Sequence, residues 1–160
     1  GIEVGLDSQR GFDHGTFAPM AIIAPQANIP VFQLSLLESY DPAAHFEIGR
    51  ALTPLRDEGV MIIGSGLSYH NLAVMDQRAQ QPSTDFDAWL DTSLNLEKDA
   101  RTAELIAWEQ APAARFAHKD EDHLVPLFVA LGAAESETAT RIYHQTDFLG
   151  HITSSSYRFG

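Results

Sequence analysis

The stretch from Asp41 to Gly64 constrains the fold more than any other part of the chain. Asp41 followed by Pro42 is a helix start: the carboxylate accepts from amides left open in the first turn, and proline there gives up no hydrogen bond. Phe46, Gly49, Leu52 and Leu55 recur at helical spacing on one face. The helix is predicted to run to about Glu58 and stop at Gly59, a residue suited to the position just past a helix end. Pro54 inside it removes one backbone bond and should bend it. Val60 to Gly64 (VMIIG) follows directly, a continuous apolar run of the kind buried on both faces in α/β sheets. Val31 to Leu36 (VFQLSL), alternating and β-rich, precedes the helix. Strand, helix and strand joined by short connections make a βαβ unit.

The rest of the chain is read around that unit. Gly11 to Gly15 is a glycine-bracketed loop, Phe17 to Ala24 is apolar and fits a helix or a strand, and Pro25 to Pro30 reads as a turn. Gln77 to Thr84 is polar and is expected to be a surface loop. Asp85 to Leu96 and Asp99 to Gln110 read as amphipathic helices, with Trp89 and Trp108 as core residues. Asp120 is expected to cap a further helix, Glu121 to Leu131, ended by Gly132, with Pro126 as its weak point. The remainder, through Tyr143, Phe148, Ile152 and Tyr157 to Phe159, suits strands closing the sheet.

Composition excludes several functions. The formal charge is −12, from 10 basic and 22 acidic residues, opposite to what a nucleic-acid backbone or an anionic membrane surface requires. No apolar run reaches the ~20 residues needed to span a bilayer, and the first residues do not read as a signal peptide. Cysteine is absent, so any metal must be held by His, Asp or Glu. That absence also fits a reducing, cytoplasmic setting.

Seven histidines separate by setting. His14 lies between Asp13 and Gly15, where glycine allows a ligand to approach closely. His70 follows the buried strand in Gly64-Ser65-Gly66-x-x-x-His70-Asn71, at the strand's C-terminal end, where open α/β sheets gather ligands. His123 starts an apolar helix behind Glu121 and Asp122. Imidazole serves both as metal ligand and as general base near neutral pH. The ordinary role of any one of them taken alone is a hydrogen bond to a carbonyl or carboxylate. None has the i, i+4 spacing of a helical zinc pair. Composition and spacing therefore stop at an α/β domain with possible enzymatic chemistry.

Four segments in series go further. Gly11-Phe12-Asp13-His14-Gly15 resembles the Asp-His-Gly loop of the LigB-like (class III) extradiol ring-cleavage dioxygenases, and more closely their DOPA-dioxygenase-type branch. His45-Phe46-Glu47-Ile48-Gly49-Arg50, with Arg56-Asp57-Glu58-Gly59-Val60 after it, resembles that branch's helix and following strand. Gly64-Ser65-Gly66 through His70-Asn71-Leu72 resembles its Ser-Gly-x-x-x-His-Asn-Leu loop. Asp122-His123-Leu124-Val125-Pro126-Leu127 resembles its Glu-His-x-x-Pro-Leu helix, and the closing Ser-Tyr-Arg-Phe is of the same type.

The resemblance implies an α/β fold, a three-layer αβα arrangement around a mixed, mainly parallel sheet, with residues 1–160 forming one domain that corresponds to the C-terminal portion of the catalytic domain. It implies a non-haem Fe(II) cofactor, with zinc able to substitute, and a catechol-type substrate cleaved with O₂. His123 matches a metal-ligand position. His70 matches the acid–base histidine, which in this branch also approaches the metal, and His14 matches a histidine that hydrogen-bonds substrate or oxygen. His45, His118, His144 and His151 match no catalytic position. Two departures stand out: Asp122 where the family usually has Glu, and Lys119 where it usually has Pro. Two further metal histidines of the family, in a His-Gly-Ser/Ala-Pro loop and a Ser-Ala-His-Trp strand end, have no counterpart here. One or two histidines are too few for a stable iron site, so an N-terminal segment or a partner subunit is expected to complete it. The competing expectation is a metal-free LigB-like module used in protein interaction. Phe12, Phe17 and Tyr69 lie near the motif loops and serve either an aromatic pocket or core packing.

Overall fold

The computed structural model describes residues 2–160. Helix α1 covers His14–Ile23, α2 Pro42–Asp57, α3 Gln80–Leu94, α4 Lys98–Ile106, α5 Ala114–Ala117 and α6 Val125–Ala133. Strands β1 (Ala139–Phe148) and β2 (Ile152–Phe159) pair antiparallel, from Ala139 opposite Phe159 to Phe148 opposite Ile152.

Helix α2 forms as its local signals require. The Asp41 carboxylate accepts from the Ala44 amide at 2.9 Å, and Gly59 takes φ +82° just beyond the helix. The helix continues through Pro54. Its buried face carries Phe46, Ile48 and Gly49 and packs on α6, where Phe46 and Phe128 stack with ring centroids 5.4 Å apart. The two helices touch backbone to backbone, since a Cβ on Gly132 would collide with the Phe46 carbonyl and one on Gly49 with the Val129 carbonyl. The core continues through Tyr69, Phe86, Leu90, Trp108 and Ile152, all at most 1% exposed. Burying each such large apolar side chain stabilises by about 1.5–3 kcal/mol.

The turn between α6 and β1 is held by cations. Arg101, 3% exposed, donates to the carbonyls of Glu135 and Glu137. Arg50 pairs with the Glu135 carboxylate, which it holds down to about 2, and Arg56 with Glu137 at 2.7 Å. Helices α2 and α4 are thereby pinned to the root of the hairpin.

Several expectations are corrected. Gln77 to Thr84 is not a loop: a 3₁₀ turn at Gln77–Ala79 leads into α3, which starts at Gln80. Pro82 sits in the first turn of α3, where a missing N–H costs nothing. The helix expected from Glu121 begins only at Val125, with Pro126 in its first turn, and Gly132 lies inside it. Of the two readings open for the apolar segment before Ala24, the structure takes the helix, α1. Residues 31–36 and 60–64 form neither helix nor strand, and neither pairs with another strand among the described residues. The sheet seen here is the two-stranded hairpin alone, because an extended segment becomes a strand only where a neighbour supplies its ladder.

Candidate metal centre

Each histidine-bearing element reaches the site for an identifiable reason. Asp13 caps α1, its carboxylate accepting from the Thr16 amide at 3.2 Å, so His14 is the first helical residue rather than a loop residue. The Gln33 side chain accepts from the Asp13 amide at 3.0 Å and from the Thr16 hydroxyl at 2.8 Å, tying the 31–36 segment to that helix start. Segment 64–67 runs against the chain around His123, and a side chain on Gly66 would collide with the His123 carbonyl. That close approach lets the Leu67 amide donate to the same carbonyl at 3.1 Å.

The outcome is a convergence of three rings. His70 and His123 stack with centroids 3.3 Å apart and planes 17° apart, and the His14 ring lies 5.9 Å from that of His123. Asp122 joins them: its carboxylate is 2.8 Å from His123 Nδ1 and 4.0 Å from His70 Nδ1. The short contact to His123 is not aligned for N–H donation, so Nδ1 stays without a hydrogen bond despite the distance. One potential ligand atom from each of His70, Asp122 and His123 lies within 4.8 Å of the others. Two imidazoles and one carboxylate form the donor set that non-haem Fe(II) oxygenases use, leaving positions open for other ligands.

The electrostatics favour a neutral His70. Burial lowers the pKa of His70, the neighbouring His123 and His14 lower it further, and Asp122 opposes them. A neutral imidazole keeps the lone pair that a metal or a proton requires. His118 is fully buried nearby, and burial pushes its pKa down to about 4. Its Nε2 faces the Ser68 carbonyl at 3.1 Å, while Nδ1 has no partner.

The structure thus brings His14, His70 and His123 together and keeps His45, His144 and His151 out of the cluster. His45 is buried and instead contacts the Asp41 carbonyl and the Leu37 amide. Asp122 was noted in the sequence only as a departure from Glu, and Gln33 carried no signal, because its contacts form across 17 and 20 residues. Of the aromatics near the motifs, Tyr69 is core, fully buried with its hydroxyl on the Val74 carbonyl, while Phe12 and Phe17 are 51% and 55% exposed.

The chain is similar to known proteins along nearly its whole length. The family model described as the catalytic LigB subunit of aromatic ring-opening dioxygenase matches residues 1–160. The 4,5-DOPA dioxygenase extradiol of Beta vulgaris is 36% identical over 98% of this chain and 59% of its own length. The protein of the same name from Escherichia coli K12 is 30% identical over 99% of this chain and 60% of its own length. A crystal structure of an uncharacterized protein from Escherichia coli K12 superposes with a TM-score of 0.83 at 30% identity, covering 94% of this chain and 64% of that one. The chain spans about three-fifths of the length of these curated relatives. It belongs to the LigB family of aromatic ring-opening dioxygenases.

Proposed function

We propose that this chain carries the acid–base and part of the metal-binding machinery of an extradiol dioxygenase that opens catechol-type rings with O₂. The observation that carries this reading is the convergence of His14, His70, Asp122 and His123, on motifs that match the family in order. His123 would hold the metal, with Asp122 as a donor beyond those read from the sequence, and His70 would either join them or, with substrate bound, keep its lone pair free for proton transfer. Fe(II) is the fitting ion for that donor set, and zinc would occupy it without redox chemistry. A ferrous ion bound there would supply Lewis acidity toward the catechol and O₂.

The protein's own residues move the protons. His70, neutral and half-buried, takes a proton from the second catechol hydroxyl, which enriches the ring in electrons for attack by oxygen. His70 then gives that proton back as the ring opens to a muconic semialdehyde, directly or through His14, which is exposed at the start of α1 and hydrogen-bonds substrate or oxygen. Imidazole does both near neutral pH.

Polypeptide beyond these residues, an N-terminal segment or a partner subunit, completes the site and the three-layer αβα sheet, this chain being its C-terminal portion. Helix α1 is apolar and has no buried residue, although a helix apolar all round ordinarily lies inside a protein. Met61 and Ile63 in the unpaired 60–64 segment are 80% and 49% exposed. A groove of about 920 Å³ runs between that segment, α6 and β2. These surfaces are where missing strands and helices would pack. Among the described residues no helix is long and apolar enough to cross a membrane. The absence of cysteine is compatible with a reducing, cytoplasmic setting.

The test is isotopic. The longest natural polypeptide containing this chain, loaded with Fe(II) anaerobically, should place both atoms of ¹⁸O₂ in a ring-opened catechol product. Incorporation of one atom or none would refute ring cleavage by a dioxygenase.

A further inference from the structure

The loop that carries His70 is fastened to the end of α5 by three hydrogen bonds at successive residues. The Asn71 side-chain amide donates to the Phe116 carbonyl at 2.7 Å, the His70 backbone amide to the Ala117 carbonyl at 2.9 Å, and His118 Nε2 to the Ser68 carbonyl at 3.1 Å. A carbonyl accepts only from a protonated ring nitrogen, so the contact assigns the Nε2–H tautomer to His118. Asn71, 2% exposed, is otherwise satisfied by the Ala73 amide, which donates to its side-chain oxygen. His118 is wedged between Phe86 and Trp108, with ring centroids 5.1 and 6.0 Å away. In that apolar setting a phenyl ring would fill the space and leave no nitrogen orphaned. A buried imidazole with Nδ1 unpaired is costly unless its other nitrogen is in use.

The same stretch of chain leads, five residues on, to His123, whose carbonyl is bonded in turn by the Leu67 amide. The two histidine-bearing segments are therefore cross-linked on both sides of the His70–His123 stack. We infer that Asn71 and His118 are positioning residues, a latch that sets the His70 imidazole against His123 and Asp122 before any ligand arrives. Small errors in such placement cost a site heavily, because preorganised geometry is what binding and catalysis draw on. The catalytic consequence rests on the ring-cleavage reading above, whereas the geometric claim does not.

Imidazole ¹H–¹⁵N spectra and Co(II) titration of His118→Phe, His118→Gln and Asn71→Ala test the latch. In His118→Phe the His70 ring resonances should shift, and Co(II) affinity should fall about tenfold, the lower end for lost outer-shell support. His118→Gln, which keeps an N–H donor, should recover most of both. Equal behaviour of the Phe and Gln variants, or unchanged His70 resonances in both His118→Phe and Asn71→Ala, would overturn the latch. Should His118→Phe fail to fold, Asn71→Ala decides, since it deletes one tether and leaves the buried ring in place. Should the wild-type chain bind no Co(II), the metal reading fails, and the His70 resonances still decide the latch.

Discussion

Acid should weaken this protein at one buried ring before it reaches the carboxylates. Burial pushes His118 from the usual 6.5 to about 4. Folded His118 therefore refuses a proton that the unfolded chain accepts, and unfolding binds that proton throughout the interval. Stability from this group is fully present above pH ~6.5 and is lost as pH falls toward ~4, at up to about 1.4 kcal/mol per pH unit. The interval of about 2.5 units corresponds to about 3 kcal/mol in all. No discount for solvent screening applies, because the residue is fully buried. Burial lowers His70 in the same direction, so the wild-type slope contains both groups. Glu135, held at about 2 by Arg50, adds its own loss only below its unfolded value near 4.5. Urea unfolding between pH 5 and 7.5 isolates the histidine window. The wild-type curve should fall steeply below pH 6.5, and His118→Phe, whatever its absolute stability, should fall less steeply by up to the slope of one proton. Parallel curves for the two proteins would refute the reasoning.

Further outcomes follow from the packing and the site. Gly132→Ala forces a methyl group against the Phe46 carbonyl and should cost about 1–3 kcal/mol in urea unfolding. A midpoint unchanged from wild type would mean that α2 and α6 part freely. Arg101→Met keeps the apolar stem but drops the charged donors from the Glu135 and Glu137 carbonyls, and should destabilise by roughly 2–4 kcal/mol. Exchange of the amides at the start of β1 should quicken with it, and unaltered protection there would argue against the clamp. His123→Ala should lower iron content measured by elemental analysis, and full iron occupancy would remove His123 from the ligand set.

The parts of this fold that were legible in the sequence are those set by neighbours in the chain. Asp41, Pro42 and Gly59 act within a few residues of themselves, and α2 begins and ends where they direct. Pro126 bears on where α6 starts for a related reason: proline breaks a helix in its interior but is tolerated in the first turn, and only the packed structure says which position it holds. The segment 60–64 has the composition of a buried strand without a ladder, because pairing depends on residues far away or outside this chain. The site divides in the same way. His14, His70 and His123 were identifiable through motifs whose order matches a family, not through spacing. Asp122 entered because a turn precedes Val125, placing its carboxylate beside two rings. His118, 50 residues from the carbonyl it faces, had no local signal at all.

The central claim, that His70 is the acid–base group of a ring-opening site assembled with His123, meets its most direct test in O₂ uptake and iron content measured on the same samples. In the complete protein turning over a catechol, His70→Ala should cut uptake by at least about 100-fold, within the ~10²–10⁴ range of general acid–base catalysis, while retaining enough iron that turnover per bound iron still falls. Uptake per iron within a fewfold of wild type would contradict the account.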